Sequence, residues 1–148
     1  MDDWFHQTAL TVHTEGRLAV HCCLTDTGRL AGFFALCLGT LEVGDLSTKM
    51  RGNKVGSIPT VLLARFALSE EFRRQKKGPL LMLEVFRSVA ELNAIAPSAL
   101  LVLDAKNDKL VDFYASQSFK SIPNDKYRMV MKMATVHKNL KDAEQMGL

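Results

Sequence analysis

No stretch of this sequence approaches the ~18 consecutive apolar residues that a membrane-crossing helix needs, and the acidic start Met1-Asp2-Asp3 lacks the positive region of a secretory leader. A cytoplasmic location without membrane association is expected. Cysteine is scarce: Cys22 and Cys23 are adjacent and Cys37 stands apart, which provides neither a disulfide framework nor a spaced metal site. On a strand, the adjacent pair points to opposite faces as small apolar fillers. The four histidines, His6, His13, His21 and His137, show no ligand spacing, so no metal is expected. There is no internal repeat and no low-complexity segment. Charge of either sign is not in large excess, with 19 basic and 16 acidic residues and a net charge of +3, too little by itself to indicate a nucleic-acid binder.

What is present is enough for one compact core. At 148 residues and 47% hydrophobic content, the chain fits a single domain over residues 1–136, with a polar, loosely helical tail over 137–148. The organising stretch is 59–92. Thr60-Val61-Leu62-Leu63-Ala64 and Phe66-Ala67-Leu68 are interrupted only by Arg65, the pattern of a strand covered on both faces. A basic turn follows, Ser69-Glu70-Glu71-Phe72-Arg73-Arg74-Gln75-Lys76-Lys77-Gly78-Pro79. Then Leu81, Val85, Val89 and Leu92, widened by Met82 and Phe86, recur with helical spacing. Pro79 suits a first helical position, and Gly78 marks the mouth of the helix.

A strand leading through a turn with free N–H groups into a helix start suits an anionic ligand, because the helix end carries about half a positive charge. The four cations of the turn strengthen that field, although such a cluster also occurs as a solvated loop. The turn matches neither the P-loop nor the dinucleotide fingerprint.

Along the rest of the chain, Asp2 or Asp3 is expected to cap a first helix with Phe5, Ala9 and Val12 on one side and Trp4 packed beside them. Residues 18–24 and 30–38 read as a hairpin closed by Thr25-Asp26-Thr27-Gly28. Residues 39–57 are the least determined. After the central helix, residues 93–98 make a crossover broken by Pro97, and Leu100 to Leu103 form an apolar strand parallel to the first. Asp108 is expected to cap a short helix reaching about Gln117. Tyr127, Met129, Met131 and Met133 alternate with Arg128, Val130 and Lys132 as a strand with one apolar face, a methionine stripe for core or dimer packing.

Two motifs together, Leu62-Leu63-Ala64-Arg65-Phe66-Ala67-Leu68 with the turn to Gly78, and Asn107 followed by Phe113-Tyr114 and Ser118-Phe119, resemble the GNAT superfamily of acyl-CoA N-acyltransferases. The closer resemblance is to toxin acetyltransferases of toxin–antitoxin pairs, and it runs from about Trp4 to Val136. It implies an α/β fold with a mixed, mostly antiparallel sheet, a central parallel strand pair and flanking helices. It also implies acetyl-CoA as cosubstrate, bound by Phe66, Ala67, Leu68, Arg73, Arg74, Gln75, Lys76, Lys77, Gly78, Pro79 and Asn107. Two positions depart from the family pattern. Lys76 stands where the first loop glycine belongs, which in the family lets the backbone approach pyrophosphate without a Cβ, and its ammonium offers a point charge instead. Ser118 stands at the helix-ending glycine position, which favours the left-handed conformation.

The resemblance assigns Tyr114 as the acid that donates to the departing sulfur. A phenol with an ordinary pKa of about 10 is protonated at neutral pH, and the same residue read alone is a core tyrosine. Asn107 either hydrogen-bonds the cosubstrate or builds the helix-start turn. No carboxylate is assigned as general base, since Glu70 and Glu71 read equally as surface charges. Arg65 either positions cofactor or substrate or pairs with an acidic neighbour. The resemblance further implies aminoacyl-tRNA as acceptor, a homodimer and a ribbon-helix-helix antitoxin. Basic residues from Lys120 through Lys126, Arg128, Lys132, Lys138 and Lys141 serve either such an RNA or an ordinary solvated surface. The alternatives are a GNAT enzyme for a protein or small-molecule amine, and a catalytically weakened GNAT-like binding protein.

Overall fold

The structure is a computed structural model that describes residues 3–148. Six strands form one sheet in the order β1-β2-β3-β4-β6-β5, with β3 and β4 parallel. These are β1 (Ala19–Leu24), β2 (Leu30–Glu42), β3 (Ser57–Leu68), β4 (Leu100–Asp104), β5 (Lys120–Ile122) and β6 (Asp125–Lys132). The helices are α1 (Asp3–Gln7), α2 (Ala9–Thr14), α3 (Thr48–Arg51), α4 (Glu70–Arg74), α5 (Gly78–Ile95), α6 (Asp108–Ser116) and α7 (Met133–Gln145). The expected fold class holds, including the strand, helix and parallel strand of β3, α5 and β4. The chain forms two compact units, residues up to 37 with 63–85, and 38–62 with 86–148.

In the first unit the N-terminal segment is two helices rather than one, because Thr8 leaves the helical region at φ −127. Asp3 already lies in the first turn of α1, where its charge complements the helix dipole, so it is not the flanking cap; Asp2 lies outside the described residues. Ala9 and Val12 are buried, and Trp4 and Phe5 lie against Phe33 with ring centroids 5.9 and 4.7 Å away. β1 pairs antiparallel with β2 from Ala19↔Leu36 to Leu24↔Leu30, with an irregularity after Cys23. The outer N–H of Val20 donates to His13 Nδ1 at 3.0 Å, which blunts an edge strand. Cys22 is exposed and Cys23 half-buried, as alternation requires, and burial pushes the Cys23 thiol up. Gly32 of β2 lies close against the end of β3. A Cβ there would stand 2.9 Å from the Ala67 carbonyl oxygen and 3.1 Å from both Leu68 Cδ1 and Leu81 Cδ2.

In the second unit β4 and β6 pair antiparallel from Leu100↔Lys132 to Asp104↔Arg128. Cross-strand partners share a face, so Val102 and Val130 lie together on one side with Leu41, Val43, Leu46, Ile58 and Leu100. Leu101, Leu103, Met129 and Met131 occupy the other. The methionine strand is therefore buried on both faces, not one, and Met133 is not part of it, since it opens α7. The stretch 39–57 continues β2 to Glu42, then makes a 3-10 turn at Val43–Asp45 and the short α3 before β3. Residues 137–145 continue α7, whose Val136 and Ala143 are buried. Strand β5, only three residues long, had no readable pattern of its own in the sequence.

Candidate functional site

In the first unit the segment expected as a basic turn contains a helix, α4. Glu70 and Glu71 lie in its first turn and Arg73 and Arg74 in its last, each complementing the helix dipole at its own end. Its end is a Schellman motif, in which the two residues after the C-cap reach back to earlier carbonyls. Lys76 N–H donates to Arg73 O and Lys77 N–H to Phe72 O, both at 3.0 Å, and Lys76 has φ 56. The reading of the turn as a row of free amides is corrected accordingly. The amides of Arg73, Gln75, Lys76 and Lys77 all have backbone acceptors, and Pro79 has no N–H, which leaves the Gly78 amide at the mouth of α5. An anion placed at this helix end would meet mainly side chains. Arg74 pairs with Glu70 at 3.0 Å and Glu71 with Arg29 at 3.5 Å, all four side chains exposed. Arg73, Lys76 and Gln75 are exposed, and Lys77 and Gly78 half-buried.

Phe66, Ala67 and Leu68 form the last residues of β3, and the chain leaving it is anchored by Ser69 N–H to Ala31 O at 2.8 Å. Arg65, on the same strand, has its guanidinium over the Trp4 ring, 4.7 Å from the centroid. A cation on an indole face needs no carboxylate partner. The sequence reading placed Trp4 in the core, and its pairing with Arg65 joins residues too far apart in the chain for any local pattern to reveal.

In the second unit α6 presents Tyr114. Asn107, not Asp108, is the N-cap: its side-chain oxygen accepts from Leu110 N–H at 2.9 Å, because the extended residue just before the first turn is the one that reaches the third helical amide. This is the helix-start role weighed for Asn107, and it leaves the side-chain amide as donor. Asp108 instead pairs with Lys126 Nζ at 2.7 Å and accepts from Tyr127 Oη at 2.9 Å, contacts that hold its carboxyl below the usual range.

The end of α6 is a second Schellman motif. Ser118 N–H donates to Ala115 O and Phe119 N–H to Tyr114 O, both at 3.1 Å, with Ser118 at φ 80. The Phe119 ring meets Tyr114 edge-on at 5.9 Å, and Phe113 does so at 5.3 Å. Tyr114 is 7% exposed, and burial pushes its phenol up to about 12. The end of α6 thus fixes both the carbonyl and the ring of the candidate acid, a role for Ser118 and Phe119 that the sequence signalled only through the position of Ser118.

Helices α2 and α7 end in the same motif with Gly16 and Gly147 at the left-handed position. Among the described residues, Lys76 and Ser118 are the two non-glycine residues at positive φ, a conformation costing an ordinary residue roughly 1–2 kcal/mol. Lys76→Gly and Lys76→Ala remove the same ammonium and differ in this strain. Both are expected to weaken acetyl-CoA binding equally and only modestly, with the loss shrinking at high salt. The glycine variant should melt about 2–4 °C above the alanine variant, as read by thermal denaturation and calorimetric titration. Equal melting temperatures would contradict the strain.

No family profile matches the chain. Its sequence is 28% identical over 134 residues to a tRNA-acetylating toxin of Mycobacterium tuberculosis, a match covering 90% of this chain and 80% of the toxin. Its fold is similar to that of AtaT complexed with acetyl-methionyl-tRNAfMet, with a TM-score of 0.82 at 18% identity over 92% of this chain and 83% of the other. It is also similar to a tyrosine-to-phenylalanine variant of AtaT bound to the C-terminus of the antitoxin AtaR and acetyl-CoA, with a TM-score of 0.76 at 19% identity, over 92% and 81%.

Proposed function

We propose that this chain, a relative of the tRNA-acetylating toxins, is an acetyl-CoA-dependent N-acetyltransferase that acylates the amino group of aminoacyl-tRNA and so blocks translation. The observation that supports this most is the sequence similarity to a tRNA-acetylating toxin across nine-tenths of the chain. The buried, protonated Tyr114 and the cationic end of α4 give that reading a chemistry. The same reading carries a homodimer, a cytoplasmic location and a ribbon-helix-helix antitoxin as partner.

Acetyl-CoA supplies the activated thioester, whose bond to sulfur breaks as the acceptor nitrogen bonds to the acetyl carbon. The charge that develops on sulfur is what Tyr114 answers. With its pKa at about 12, against an ordinary thiol near 8.5, the phenol holds its proton and stabilises the thiolate by hydrogen bonding rather than by complete transfer. The proton that the nitrogen loses passes to solvent. An α-amino group has an ordinary pKa just below 8, so a useful fraction is unprotonated at neutral pH without a carboxylate base. Glu70 and Glu71, held by Arg74 and Arg29, are not needed for that step. Arg73, Lys76, Lys77 and the Gly78 amide are the groups assigned to the cosubstrate's phosphates, with Phe66, Ala67 and Leu68 beside its acyl arm.

The pH dependence has a definite sign. Activity is expected to rise as pH passes the acceptor amine's pKa and then to stay level, because Tyr114 deprotonates only toward pH 12. A fall in kcat/KM between about pH 8 and 10, near an unperturbed phenol, would contradict a buried protonated donor. The function itself is tested in a cell-free translation reaction. Added protein should arrest synthesis only when acetyl-CoA is present. Arrest without acetyl-CoA would favour the binding-protein class, and no arrest despite acetyl-CoA turnover would favour a protein or small-molecule amine as acceptor.

A further inference from the structure

We propose that the loop bearing Lys49 and Lys54 is the surface that meets the phosphate backbone of the RNA acceptor; this rests on the function proposed above and assigns its substrate a docking surface. The chain has 19 basic and 16 acidic residues. Residues 46–69 contain Lys49, Arg51, Lys54 and Arg65 and no acidic residue, leaving 15 basic and 16 acidic residues elsewhere. The entire positive excess therefore sits in this run. In the basic stretch nearer the C-terminus, three of the six cations from Lys120 to Lys141 are paired within the protein: Lys126 with Asp108, Arg128 with Asp104, and Lys138 with Asp142.

Within the run, two cations are already engaged. Arg65 lies on the Trp4 ring, and Arg51 turns inward, its Nη2 donating to the carbonyls of Gly44 and Leu46 at 3.2 Å. Lys49 and Lys54 are exposed and make no side-chain ion pair among the described residues. The loop that carries them is held at several points. Ser47 Oγ accepts from Met50 N–H at 3.2 Å, Gly52 N–H donates to Thr48 O at 3.1 Å, and Val43 N–H donates to Gly56 O at 2.8 Å. Val43 and Leu46 are buried with Met50 packed against them. Two ammonium groups on a held loop can meet phosphates without first breaking an ion pair or ordering a segment. Around them Gly52, Asn53 and Gly56 are small or polar and exposed, with Val55 as the one large apolar neighbour. A protein partner would need an apolar centre to bury, whereas a phosphate backbone requires only the charge.

The test is tRNA binding by wild type and by the Lys49→Gln, Lys54→Gln double variant across a salt series. Losing two phosphate contacts should flatten the slope of log K against log salt by about 1.4 to 1.8, so the affinity gap narrows roughly tenfold between about 50 and 200 mM. Melting temperature, kcat at saturating charged tRNA and turnover of a short aminoacyl-adenosine acceptor should not change. Lys49→Arg with Lys54→Arg should restore the slope. A double variant with the wild-type slope overturns the proposal, whatever its effect on binding an acidic peptide, and so does a loss that arginine does not rescue. If wild type acetylates charged tRNA and the variant matches it at every salt, only this surface is wrong. If wild type neither binds nor acetylates tRNA, the proposed function falls with it.

Discussion

Tyr114→Phe is expected to lower kcat/KM for acetyl transfer about a hundredfold, the usual scale for losing one positioned hydrogen-bond donor to developing negative charge, while leaving acetyl-CoA affinity close to wild type. The substitution removes one oxygen and keeps the ring that Phe113 and Phe119 hold edge-on. The Schellman bonds at the end of α6 involve backbone only, so the helix end should survive. Stability should change by about 1 kcal/mol or less, the scale of a single hydrogen bond. An unchanged rate in a chemistry-limited assay would remove Tyr114 from the donor role. Joint collapse of stability and cosubstrate binding would make it a core tyrosine instead. Ser118→Gly serves as a control, since it relieves a left-handed residue at the same helix end and should raise the melting temperature without lowering turnover.

Gly32→Val is expected to have the largest effect on stability, a loss of about 2–3 kcal/mol, which for a chain of this size lowers Tm by roughly 5–10 °C. Even the first added carbon would stand 2.9 Å from the Ala67 carbonyl oxygen. That oxygen belongs to backbone and cannot rotate aside, unlike the leucine side chains nearby. β3 would have to move at Phe66, Ala67 and Leu68, where the acyl arm is assigned. Acetyl-CoA affinity should therefore fall together with stability. A variant that melts like wild type would show that the two strands tolerate separation, and one that loses stability yet binds acetyl-CoA normally would move the acyl arm away from this strand segment.

How far the sequence could be read depended on the kind of signal each residue carried. In the α5 stripe Leu81, Met82, Val85, Phe86 and Val89 are buried as their spacing required and Leu92 is half-buried toward the helix end, because burial along a helix follows directly from period. The β3, α5 and β4 order followed from apolar runs long enough to leave no competing assignment. The basic turn was harder. Charged residues fit both a solvated loop and a short helix, and α4 is decided by Glu at one end and Arg at the other, acting on a dipole. At the end of α6, a departure from the family pattern marked where the backbone turns left-handed, and Ser118 does so. At Lys76 it did so too, but there the expected reason was close approach to pyrophosphate, and the observed one is the same helix-ending turn, with the amide on the Arg73 carbonyl. Long-range pairings such as Arg65 with Trp4 left no trace in local sequence. The acid-free run around Lys49 and Lys54 was legible in composition, but which of its cations are free became visible only in three dimensions.

The most direct measurement is the chemical identity of the product. Charged tRNA incubated with this protein and acetyl-CoA, then cleaved at the aminoacyl ester and analysed by mass spectrometry, should yield amino acid carrying one acetyl group on its α-nitrogen. Free CoA should accumulate in equal amount, and uncharged tRNA should give neither product. Unmodified amino acid recovered while acetyl-CoA is bound, or acetyl groups found on a protein or small amine instead, would contradict acetylation of aminoacyl-tRNA.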